Sequence, residues 1–154
     1  MKRACSQAFV LTLAGLCGVA ASATGATSTP PATVTVSVAP ATPLHPKQHF
    51  SITVTATFSK RQLKGPKAFL LAFIQYSNKD CERDVNRELS RTLDTQGAYF
   101  HQTFSKSPHA SARSFVAGGA GNRRVCVYLF GKRVTPGTTL APIAHAHGTY
   151  EVVK

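Results

Sequence analysis

The amino-acid sequence predicts an all-β chain, an antiparallel two-sheet sandwich of about seven strands with a short helical crossover over the outer face of one sheet. Three observations carry this reading. Phe50 to Phe58 alternates strictly between apolar and hydroxyl-bearing side chains. Ala68 to Tyr76 and Val125 to Phe130 are instead apolar on both faces. Between them, from Asn78 to Leu93, the apolar residues change period, with Cys81, Val85, Leu89 and Leu93 four positions apart.

The elements follow in order. Met1 to Ala23 has the form of a secretory signal peptide: Lys2 and Arg3, an apolar run from Ala8 to Ala21, then Ala21-Ser22-Ala23 as a cleavage pattern. The apolar run has 14 residues, short of the roughly 20 that a membrane-spanning helix needs. Cleavage would place the mature start at Thr24 and remove Cys5 and Cys17. Leu16 before Cys17 departs from a lipoprotein signal. Residues 24–32 are rich in Thr, Ala, Ser and Pro and read as a flexible linker. The sandwich domain is expected over 33–154.

Thr33 to Val38 alternates and reads as a first strand at a sheet edge, with Pro40, Pro43 and Pro46 ending its pairing. In the next strand Phe50, Ile52, Val54, Ala56 and Phe58 face inward, while Ser51, Thr53, Thr55 and Thr57 face water. A strand wet on one side belongs in an antiparallel sandwich or barrel. A basic loop follows, Ser59 to Lys67, and then the doubly apolar strand with Phe69, Leu71 and Phe73 against Leu70, Ala72 and Ile74. Asn78 or Asp80 is placed to cap the helix that succeeds it.

Ala98 to Phe104 and Ser111 to Val116 carry weaker strand patterns. The second doubly apolar strand puts Val125, Val127 and Leu129 on one face and Cys126, Tyr128 and Phe130 on the other. Its second face needs a cover, and the helical crossover is the candidate. Pro136-Gly137 marks a turn, and Ile143 to Val153 is the last strand. Cys81 and Cys126 are the two cysteines left after cleavage, and an exported protein meets an oxidising compartment, so they are expected to form a disulfide.

This pattern resembles exported bacterial immunoglobulin-like domains. The residues that carry the resemblance are Phe50–Phe58, the double-sided strand ending at Tyr76, Cys81, and Gly121 to Leu129. In such domains a cysteine after the third strand accompanies one in a late V-C-x-Y-L strand. Two features depart from the pattern. Arg123 stands where a corner tyrosine is common, and the cysteines do not occupy the inter-sheet positions of antibody domains. The resemblance implies a fold and no activity.

The chain carries 18 Lys and Arg against six Asp and Glu, a formal net charge of +12. Loss of Lys2 and Arg3 would leave about +10. A basic exported protein suits anionic envelope polymers, lipid head groups or nucleic acid. Lys60, Arg61, Lys64 and Lys67 form the candidate polyanion-binding loop, with Arg123-Arg124 and Lys132-Arg133 elsewhere. The loop after the second strand and the turn before the sixth are candidates for opposite ends of a sandwich. No aromatics interleave with the charges, as base stacking would need.

His145 and His147 share one strand face and form a candidate metal pair that needs a third ligand, with His101 or His109 the available imidazoles. Four of the six acids crowd into Asp80 to Glu88, interleaved with Arg83 and Arg87 at the spacing of helix-surface pairs. No nucleophile elbow or phosphate loop is present, so no catalytic residue is assigned and no cofactor is implied. The expected function is a non-enzymatic, secreted or envelope-associated binding or structural module. Its partner is unknown, with an anionic envelope polymer or another extracellular protein as the candidates. A polyanion binder and a metal-dependent protein using His145 and His147 are the alternatives.

Overall fold

The computed structural model describes residues 29–41, 43–76, 79–94, 97–135 and 140–154. The expected signal segment, most of the linker, Asn78 and Pro136-Gly137 lie outside them. The described residues form β1 (Thr33–Ala39), β2 (His49–Thr57), β3 (Ala68–Gln75), helix α1 (Val85–Asp94), β4 (Ala98–Phe104), β5 (His109–Val116), β6 (Gly121–Phe130) and β7 (Ala144–Val152). Two antiparallel sheets result, β1-β2-β5 and β4-β3-β6-β7. The fold is a two-sheet β-sandwich with one helix on its outside. No described helix is long and apolar enough to cross a membrane.

The inner core lies between the sheets. Alternation in β2 delivers Phe50, Ile52, Val54 and Ala56 into it, and Phe58 follows. Leu70, Ala72 and Ile74 of β3 and Val125, Val127 and Leu129 of β6 meet them from the other sheet. Burying a side chain of this size stabilises a fold by about 1.5–3 kcal/mol. β3 and β6 pair directly, with Leu71 opposite Tyr128 and Phe73 opposite Cys126.

Their other faces form a second core. Phe69, Phe73, Cys126, Tyr128 and Phe130 are buried there, against Cys81, Val85, Leu89, Val134 and Leu140. The crossover is therefore the cover of this face. Cys81 and Cys126 are joined, with their sulfurs 1.98 Å apart.

The helix is shorter than its periodicity predicts. It starts at Val85, so Cys81 belongs to an irregular lead-in, and Leu93 is 56 % exposed. Asp84 caps it, not Asp80: its Oδ1 accepts from the Asn86 N–H at 2.8 Å and its carbonyl accepts from the Glu88 N–H at 3.0 Å. Asp80 instead pairs with Arg124 of β6. The disulfide holds the lead-in on the sheet, and the helix can form only after the chain leaves that anchor.

Register fixes which loops share an end. Phe130 pairs with Phe69 and Phe104 with Ala68, while the Phe58 N–H donates to Ser107 Oγ at 2.8 Å. The loop after β2, the β4–β5 turn and the segment after β6 therefore gather at one end. The β5–β6 turn and the C-terminal end of β7 lie at the other, where Gly121 pairs with Val152 and Leu44 bridges Val152.

Cys81 and Cys126 are 45 positions apart, a loop whose closure stabilises the folded chain by about 4 kcal/mol through the lost entropy of the unfolded state. The double substitution Cys81→Ser, Cys126→Ser should lower the urea-unfolding free energy by about that amount. A loss below about 1 kcal/mol would show that packing alone holds the lead-in.

Candidate functional site

Helix-surface pairing is the expectation for the acidic run of the crossover, and Glu88 corrects it. This residue is fully buried beneath α1. Its Oε1 accepts from Gln75 Nε2, and its Oε2 accepts from the Glu82 N–H at 2.7 Å. Tyr128 Oη lies 3.2 Å from the same Oε2 and donates to the Glu82 carbonyl at 2.5 Å. Gln75 Nε2 also reaches Cys126 Sγ at 3.2 Å. One residue from the helix, one from each central strand and one from the lead-in are thus tied beside the disulfide.

The phenol has a single hydrogen, and the short contact assigns it to the Glu82 carbonyl. Glu88 Oε2, at 3.2 Å, is the longer-range acceptor for the same hydroxyl. Burial raises the Glu88 carboxyl pKa, against the opposing hydrogen bonds from Tyr128, Gln75 and Thr92 and the charge of Arg124. Periodicity missed this role because Glu at a packed helix position looks like any other Glu in sequence. The neighbouring acids are ordinary. Glu82 pairs with Arg91, and hydrogen bonding and charge from Arg124 hold the Asp80 carboxyl low.

A groove of about 240 Å³ opens beside the helix. Phe69, Leu71 and Phe73 of β3 form its floor. Val85, Asn86 and Leu89 form one wall, Tyr99 and His101 of β4 the other, and Arg133 to Thr135 close one end. It lies over the outer face of β3, between α1 and the edge strand β4. The weak strand pattern of Ala98 to Phe104 did not single it out.

The basic loop is built by close backbone contact. Its 3-10 turn, Lys60–Gln62, is held by Gln62, whose Oε1 accepts from the Ser59 N–H at 2.7 Å and whose Nε2 donates to the Pro30 carbonyl at 3.0 Å. The Lys64 N–H donates to the Gly131 carbonyl at 2.8 Å. A β-carbon at Gly131 would sit 2.4 Å from the Gln62 carbonyl oxygen, so only glycine admits this approach. Lys60–Lys67 is thereby fastened to Lys132-Arg133. Gly65, Pro66, Lys67, Thr103, Lys132 and Arg133 line a depression of about 290 Å³ there. The β4–β5 turn brings Lys106 to the same end. Arg123 and Arg124 are at the opposite end and are committed locally. Arg123 lies 4.3 Å over the Tyr76 ring and donates to the Gly119 carbonyl, while Arg124 holds Asp80.

His145 and His147 are exposed on the outer side of edge strand β7, opposite Tyr128 and Cys126. Among the described residues no group of three His, Cys, Asp or Glu side chains is arranged to hold a metal ion. His101 lies across the sheet on β4, and His109 is stacked on Phe104. The structure therefore does not bring a third ligand to the histidine pair.

No protein-family model matches the chain, and no curated protein matches its sequence.

Glu88 sets a pH dependence. Unfolded, it ionises near 4.5; folded, it holds its proton to higher pH. Across that interval the native state binds more protons, so the stability due to the buried acid is complete below the unfolded value and declines as pH rises through the folded one. Glu88→Gln removes the titration, at a fixed cost from losing the acceptor for the Glu82 N–H. Urea midpoints from pH 4 to pH 8 should move progressively in favour of the variant relative to wild type. A difference between the two that stays constant with pH would mean that Glu88 binds its proton equally well folded and unfolded.

Proposed function

We propose that this chain is a non-enzymatic exported binding module of immunoglobulin-like architecture, and that its ligand is an anionic polymer held at the basic end. The observation that carries the reading is the fastening of Lys60–Lys67 to Lys132-Arg133 through the Lys64–Gly131 hydrogen bond. Seven cationic residues belong to that end: Lys60, Arg61, Lys64, Lys67, Lys106, Lys132 and Arg133. Residues 58–67, 105–109 and 131–135 contain no acid. Cations held together on a rigid frame displace the counterions of a polyanion on contact, which favours binding through entropy and makes it salt-dependent.

Export is supported by the leader-like segment Met1 to Ala23 and by the Cys81–Cys126 disulfide. The immunoglobulin-like reading is supported by strand order, with the first, second and fifth strands in one sheet and the third, sixth and seventh in the other, where the fourth pairs with the third at the edge. A non-enzymatic role is supported by Glu88. This carboxyl with a raised pKa is fully buried, and both its oxygens are engaged.

Binding to polyphosphate, measured against salt concentration, tests the reading. Lys64→Gln, Lys67→Gln, Lys132→Gln should reduce the slope of log affinity against log salt by roughly two, since each neutralised phosphate accounts for about 0.7 of that slope. Lys47→Gln, Lys154→Gln, at the other end, should leave the slope unchanged. Equal effects from the two sets would mean diffuse attraction to net charge and no site at the basic end.

A further inference from the structure

Arg133 lines both the apolar groove and the basic depression. We infer that the two form one amphiphile site, which takes the acyl chain of a fatty-acid-type anion along Phe69, Leu71 and Phe73 and its carboxylate at Arg133. The inference rests on the proposed anion-binding end for its cation and goes beyond it in ligand class.

The groove has an apolar floor, with Asn86, Tyr99 and His101 on its walls, and Arg133 is the one guanidinium among its described lining residues. Its floor is the outer face of β3, where Phe69 and Phe73 are buried and Leu71 is half-buried. Val85 and Leu89 bound it on one side, and Val134 follows directly on Arg133. An acyl chain supplies the apolar surface such a floor lacks, and no neutral polar group is needed along it. Arg133 makes no ion pair among the described residues. Its planar guanidinium is suited to two parallel hydrogen bonds with a carboxylate, and Lys67 and Lys132 add positive charge in the same depression. The charge therefore selects the head group and fixes the direction of the chain. A cationic amphiphile would meet repulsion at Arg133.

Isothermal titration calorimetry of the purified, disulfide-bonded chain with dodecanoate, dodecanol and dodecyltrimethylammonium tests this, with all probes below their micelle concentrations. Dodecanoate should bind one to one, at least about tenfold tighter than dodecanol, and dodecyltrimethylammonium should not bind. From hexanoate upward, each added methylene should tighten binding about fourfold until the groove is full. Arg133→Gln should bring dodecanoate down to the affinity of dodecanol. Val85→Trp, which fills the groove, should abolish binding of both while polyphosphate binding persists. If that variant does not fold, the head-group series on wild type and Arg133→Gln decides. Equal affinity for the three amphiphiles overturns the inference, as does the absence of saturable dodecanoate binding, whether the groove is closed or filled by a second copy. Loss of polyphosphate binding with dodecanoate binding intact would refute the polymer reading alone, and the reverse would refute this one alone.

Discussion

A sheet that is apolar on both faces cannot stand against water, and this constraint governs the molecule. β3 and β6 bury Leu70, Ala72, Val125, Val127 and Leu129 on one side and Phe69, Phe73, Cys126, Tyr128 and Phe130 on the other. The first side is met by a second sheet, as in any sandwich. Among the described residues the second is covered by Cys81, Val85 and Leu89 from the segment between β3 and β4 and by Val134 and Leu140 after β6. A covering helix of ten residues is too short to be stable on its own. The bond between Cys81 and Cys126 and the hydrogen bonds around Glu88 keep it in place.

That cover is held by polar groups as well as by packing. Buried polar atoms stabilise only when each finds a partner. Glu88, Gln75, Tyr128 and the backbone of Glu82 meet this condition among themselves. Such a network is directional. It sets where the helix sits on the sheet, whereas apolar contacts would tolerate a slide. The fixed seat of α1 also leaves the strip beside β4 open, so the groove is a by-product of how the second core is closed.

Much of the architecture was legible in the residues. Alternation in Phe50–Phe58 identified the half-wet strand, and unbroken apolar runs identified the two central strands and the need for a cover. Those signals come from burial, which acts on each side chain separately. The start of the helix was not legible, because a disulfide-anchored cysteine matches helical spacing without being helical. Glu88 was not legible either, since its burial depends on partners in three other elements. The basic loop was visible in composition, but its junction with Lys132-Arg133 depends on the register of β3 with β6 and on the close approach at Gly131. The histidines of β7 share a face as alternation requires, yet a metal site needs a third element to arrive, and none of the described ones does.

The Gln62–Pro30 hydrogen bond has a consequence for geometry at a surface. It brings the polypeptide into β1 at the same end as the lysine-rich loop, while Lys154 leaves from the far end. An extended anionic surface touched by that loop would therefore face the incoming segment as well. The strands would stand upright on it like staves, with the Arg123–Tyr76 stack pointing away.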